Sequence, residues 1–161
     1  MANNYFLYGD KGIGKSTIIN KFLGSFSGKV GGFKTVRVIN ENGKTCFYLL
    51  DIAKGEKPDC KNFLFEKGIR PDDLYKKFDA LSICLNDYIN YDLIIMDELE
   101  PAEINAETFK KCVTEVLDSE VKVLGVIQKA KSEFLDQIKN RDDVKIFEIN
   151  YDNRDSFIIN I

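Results

Sequence analysis

Apolar residues recur along this chain in two rhythms, short unbroken runs and spacings of three and four, and their alternation predicts strands separated by helices. The run Tyr5 to Tyr8 reads as a buried strand that ends at Gly9. Ile18, Ile19, Phe22 and Leu23 then share one face of a helix over Ser16 to Leu23, with Gly24 as its stop. Two β-rich runs follow, Thr35 to Ile39 and Thr45 to Leu50, and Asn42-Gly43 between them predicts a hairpin. Residues 53–72, punctuated by Gly55, Pro58, Gly68 and Pro71, read as a long excursion holding one short strand at Asn62 to Phe65. Leu74, Phe78, Leu81 and Leu85 predict an amphipathic helix, and Leu93 to Met96 a buried strand that runs into acids. A helix over Ala106 to Leu117, a strand over Val121 to Ile127, a helix over Ser132 to Asn140 and a strand over Val144 to Ile149 complete the series. Strands alternating with helices in this way specify an α/β fold with a mostly parallel central sheet flanked by helices.

With 161 residues, 44% of them hydrophobic, the chain has the length of one domain, 1–161, and can close a core without disulfides or metals. Its 23 basic and 26 acidic residues are interspersed and leave a net charge of -3, which argues against a broad nucleic-acid surface. Cys46, Cys60, Cys84 and Cys112 are scattered without a CxxC pair, and no histidine exists to complete a mixed zinc site, so they read as reduced, mostly packing cysteines. The first residues lack a basic stretch, and the apolar run after them is too short to span a bilayer. The expectation is a soluble cytoplasmic protein with no membrane partner.

Candidate chemistry begins at Gly9-Asp10-Lys11-Gly12-Ile13-Gly14-Lys15-Ser16, the P-loop (Walker A) pattern, lying between a strand and a helix as its mechanism requires. Glycines let backbone N–H groups turn toward phosphate oxygens, and the helix N-terminus adds a favourable dipole. Lys15 supplies a charge for the β- and γ-phosphates, Ser16 a hydroxyl for Mg²⁺, and Thr17 a group within reach of the α-phosphate. Ile94-Ile95-Met96-Asp97-Glu98 puts two carboxylates where a buried strand emerges, the Walker B position. Asp97 is expected to coordinate Mg²⁺, directly or through water, and Glu98 to orient or deprotonate the water that attacks the γ-phosphate. A Ras-like GTPase is excluded. It would carry glycine three residues after Asp97, where this chain has Glu100, and its guanine-reading motif follows a strand, whereas Asn140-Arg141-Asp142-Asp143 follows a helix.

Taken together, Gly9 to Thr17, Gly32-Phe33-Lys34-Thr35, Asp97-Glu98-Leu99-Glu100-Pro101-Ala102-Glu103, Asn140-Arg141-Asp142-Asp143-Val144 and Asn153-Arg154 form a pattern that resembles the cancer-related nucleoside-triphosphatase family, in the same order over nearly the whole chain. The resemblance implies a RecA-like fold and slow, Mg²⁺-dependent hydrolysis of ATP, GTP and other nucleoside triphosphates. It carries Lys15, Ser16, Asp97 and Glu98 into the roles given above and adds Glu103 as a further acid near the site. The chain departs from the family at Glu100 and Ala102, where glycine and a larger apolar residue are usual, and at Val36-Arg37, which replaces an acidic pair.

Lys129 and Lys131, beyond the strand ending at Ile127, are candidates to neutralise charge on the leaving phosphate, or else solvated lysines. Arg154, beyond the last strand, is a candidate to stack on a nucleotide base, or else a surface arginine paired with Asp152 or Asp155. Arg141 sits in a mixed-charge turn and is expected to pair locally. Three activities stay open: triphosphate hydrolysis with Glu98 aligning water, phosphoryl transfer to a small metabolite or nucleotide, and nucleotide-dependent regulation through residues 53–71. Only four arginines, no two adjacent, weigh against the arginine-rich lid of a nucleotide kinase, and the presence of both Asp97 and Glu98 weighs against a pure binder.

Overall fold

The computed structural model describes residues 3–99 and 105–161. Its strands are β1 (Asn4–Gly9), β2 (Val30–Ile39), β3 (Thr45–Asp51), β4 (Phe63–Glu66), β5 (Leu93–Leu99), β6 (Lys122–Gln128) and β7 (Val144–Glu148). They form one seven-stranded sheet in the order β4-β3-β2-β5-β6-β1-β7. The run from β2 to β7 is parallel throughout, and β3 and β4 extend the β2 edge antiparallel. β6 therefore lies between β1, which leads into the phosphate loop, and β5, which carries the acids, the strand order of RecA-like folds.

The helices are α1 (Lys15–Leu23), α2 (Leu74–Leu81), α3 (Glu107–Leu117) and α4 (Glu133–Lys139). Each central strand is buried on both faces, which is why it is apolar without a polar alternate. On β5, Ile94 and Met96 join one core with Phe78 of α2, Phe109 of α3 and Leu135 of α4. Leu93 and Ile95 join the other, with Ile18 and Ile19 of α1 and Ile159 near the C-terminus. Phe109 ties the first core together, meeting Phe33 and Phe78 edge-on with centroids 5.4 and 5.5 Å away.

Several boundaries differ from the sequence reading. The helix predicted through Leu85 is α-helical only to Leu81; Ser82–Leu85 tightens into a 3-10 turn, where Ser82 Oγ donates to the Asp79 carbonyl at 2.6 Å, and Leu85 still reaches the core. β2 begins at Val30, before the apolar run that marked it, because Gly31 and Gly32 pair with β5 but offer no side chain to a periodicity. All four cysteines are free and most of them pack, as expected: Cys46 is buried, Cys84 and Cys112 are half-buried against the core, and Cys60 is exposed. Arg141 pairs with Asp143 in its own turn, as expected, and also donates to Asp118 and the Leu117 carbonyl, which are distant in the chain. Among the described residues no helix is long and apolar enough to cross a membrane.

Candidate functional site

The parallel strands end along one edge of the sheet, and there β1 gives way to α1 through residues 10–14. Gly9 is held to glycine by contact, since a Cβ would run into the Ile149 carbonyl oxygen. Gly12 and Gly14 adopt φ of 77° and 109°, the left-handed region that other residues rarely enter. Between them Ile13 is buried in the core beneath α1 and anchors the loop. The N-terminus of α1, with the unsatisfied N–H groups that every helix start carries, opens on a cavity of about 220 Å³. Lys11, Gly12, Gly14, Lys15, Ser16, Thr17 and Glu98 line it.

Lys15 folds back so that its Nζ donates to the carbonyls of Gly9 and Asp10, at 2.8 Å each. Burial lowers its pKa, while the charges of Glu98, Asp97 and Asp10 pull it upward. Ser16 Oγ donates to Asp97 Oδ1 at 3.1 Å. Asp97 is 4% exposed. Burial raises its carboxyl to about 6, against the lowering effect of the Ser16 hydrogen bond and the charges of Lys15 and Lys34. Consecutive strand residues ordinarily face opposite sides of a sheet. Here the β5–β6 register shifts after Met96, and the two neighbouring carboxylates end in different surroundings, Asp97 buried and Glu98 half-buried on the cavity wall.

Asp10 is braced from outside the loop. Lys129, just past β6, sets its Nζ 3.2 Å from Asp10 Oδ1 and 5.7 Å from the Tyr8 ring centroid. Lys131 is exposed. Arg154 stands apart from this cavity, its guanidinium 4.9 Å from the Tyr151 ring centroid and its Nε 3.7 Å from Asp155. Glu103 lies outside the described residues. The fold thus gathers Lys11, Lys15, Ser16, Thr17 and Glu98 around one space, with Asp97 behind Ser16, while Gly9, Asp10 and Ile13 shape the loop. No group of three or more Asp, Glu, Cys or His that could hold a metal exists among the described residues; the side-chain oxygens at this cavity are those of Ser16, Thr17 and Glu98, with Asp97 hydrogen-bonded to Ser16.

Sequence reading missed a second group of residues beside this site, Thr35, Arg37 and Lys67, which share a cavity with Lys11 and Glu98. The one local signal was the two-residue step from Thr35 to Arg37, which places both on one face of β2.

A family model described as NTPase matches residues 4–161. The nucleoside-triphosphatase THEP1 of Thermotoga sp. (strain RQ2) is 32% identical over 155 residues, covering 93% of this chain and 88% of that protein. The protein of the same name from Methanosarcina barkeri (strain Fusaro / DSM 804) is 30% identical over 155 residues, covering 91% and 88%. Among solved structures, THEP1 from the hyperthermophile Aquifex aeolicus has a TM-score of 0.77 at 20% identity, covering 95% of this chain and 93% of that one. A human cancer-related nucleoside triphosphatase has a TM-score of 0.65 at 22% identity, covering 95% and 92%. These two likenesses speak for the fold. Because the family match runs from β1 to the C-terminus and takes in both the phosphate loop and the acidic strand end, this chain belongs to the NTPase family.

Proposed function

We propose that this protein hydrolyses nucleoside 5′-triphosphates, ATP and GTP among them, to diphosphate and phosphate, with Mg²⁺ as cofactor. The observation that carries the reading is the convergence of the Lys15 ammonium, the Ser16 hydroxyl and the Glu98 carboxylate on one cavity at the start of α1. The names of the relatives support it, and the continuous sheet supports treating 1–161 as one catalytic domain.

In this reading the loop N–H groups and Lys15 bind and orient the β- and γ-phosphates. Ser16 and Asp97 would hold Mg²⁺, which needs only one or two protein oxygens beside phosphate and water, and a buried carboxyl with a raised pKa is one that a neighbouring cation returns to its ionised form. When bound, the ion supplies neutralisation of charge on the phosphate oxygens. Glu98 accepts a hydrogen bond from the attacking water and takes its proton as the new O–P bond forms. The bond from the γ-phosphorus to the bridging oxygen breaks, and the diphosphate leaves with the electron pair, its charge met by Lys15.

Release of inorganic phosphate from ATP, GTP, CTP and UTP tests this. Glu98→Gln is expected to keep nucleotide affinity and lose ~100-fold or more in kcat, whereas Lys15→Ala loses both. Unchanged release from Glu98→Gln would remove the role assigned to that carboxylate.

A further inference from the structure

A second cavity, of about 240 Å³, adjoins the first and shares Lys11 and Glu98 with it. It lies on the antiparallel extension formed by β2, β3 and β4. The register sets Arg37 beside Phe47 and Phe47 beside Phe65, so one guanidinium and two rings stand in a row across three strands. The rings stack with centroids 4.8 Å apart. Lys11 Nζ lies 5.6 Å from the Phe47 centroid, and the Arg70 guanidinium 5.2 Å from that of Phe65. Lys67 adds a further charge to the lining, in which Glu98 is the single acid among the described residues. None of Lys11, Arg37 and Lys67 has a carboxylate within ion-pair distance among the described residues. Thr35 lines the same space, and its Oγ1 is buried without a hydrogen-bond partner.

Cations gathered over an aromatic floor repel one another, and a buried hydroxyl without a partner is rare in a folded chain. Both are relieved by an anion that accepts hydrogen bonds. A single guanidinium satisfies a carboxylate; three cations with no carboxylate in ion-pair distance among the described residues match a phosphate, which carries close to two charges and three acceptor oxygens. At about 240 Å³ the space is smaller than the pockets that enclose drug-sized ligands, which restricts the occupant to a small molecule.

We propose that this cavity binds a small organic phosphate beside the nucleotide, with Arg37 and Lys67 as its ion partners and the Thr35 hydroxyl as a donor. The proposal rests on the phosphate loop holding the nucleotide, because the shared wall at Lys11 and Glu98 is what brings the second ligand to the γ-phosphate end.

Calorimetric titration of glycerol 3-phosphate, and separately of inorganic phosphate, into protein saturated with Mg²⁺ and β,γ-imido-ATP tests it. Both probes are expected to bind at one site. Arg37→Ala and Lys67→Ala, which remove exposed side chains, are expected to weaken that binding at least ~10-fold, the loss of a charge-assisted contact, with β,γ-imido-ATP affinity unchanged. Lys111→Ala, the same charge change on α3 beside a different cavity, leaves it unaltered. Absence of probe binding, or equal binding in the Arg37 and Lys67 variants, overturns the proposal. So does tight binding of a single-stranded oligonucleotide that neither probe displaces, which would make this a nucleic-acid surface. Failure of the hydrolase reading would show in phosphate release alone, and probe binding that still depends on Arg37 would then uphold the second site by itself.

Discussion

Asp97 holds a carboxyl that is 4% exposed, with a hydrogen bond from Ser16 to offset its burial. Its pKa of about 6 lies above the ordinary 3.8, so the folded chain keeps this proton more tightly than the unfolded one. The sign follows: in metal-free protein, stability falls as pH rises from about 4 to about 6 and stays lowered above that. Asp97→Asn removes the slope while keeping an acceptor for Ser16. In thermal unfolding without metal or nucleotide, the variant is expected to match wild type near pH 4 and exceed it at pH 8, by on the order of 3 kcal/mol for the full shift. A variant less stable than wild type at pH 8 would count against burial as the cause. Asp97 and Glu98 were both legible in the sequence as an acidic pair after an apolar run. Their unequal burial was not, because which of the two is covered depends on what packs over each face of the sheet at the end of β5.

At the scale of elements, α3 shows how far periodicity reaches. Phe109, Val113, Val116 and Leu117 are all buried, as their spacing predicts. Phe109 is fully buried between Phe33 and Phe78, so Phe109→Ala is expected to cost ~3–5 kcal/mol in denaturant unfolding, most of it from the cavity left between the two rings. A loss below about 1 kcal/mol would mean that the aromatic cluster closes over the gap. The start of β2 was hidden for the opposite reason. Its glycines lie close against β5, where a Cβ on Gly32 would meet the Ile95 carbonyl oxygen, and closeness of backbone leaves no hydrophobic mark in a sequence.

For the molecule as a whole, Arg141 links segments that are distant in the chain. It bonds Asp143 ahead of β7 and both Leu117 and Asp118 at the end of α3, while Asp143 also accepts from Asn4 of β1. The hydrogen bonds to Asp143 hold the guanidinium charged above its ordinary range. Arg141→Ala is expected to cost about 1–3 kcal/mol in unfolding while leaving kcat unchanged, because Arg141 lines neither the phosphate-loop cavity nor the one beside it. A fall in kcat at unchanged stability would give it a part in the site. The order of elements, the glycine loop, Lys15 and the two acids were determined by the sequence alone, since helix and strand periods and the need for left-handed turns are local properties of the backbone. Only the tertiary structure decided that β6 enters between β1 and β5, that Ser16 and Asp97, 81 residues apart, meet at 3.1 Å, and that Arg37, Phe47 and Phe65 align. Those contacts depend on strand order and register, which are fixed by which distant strands bury each other's faces, and no local pattern encodes that choice.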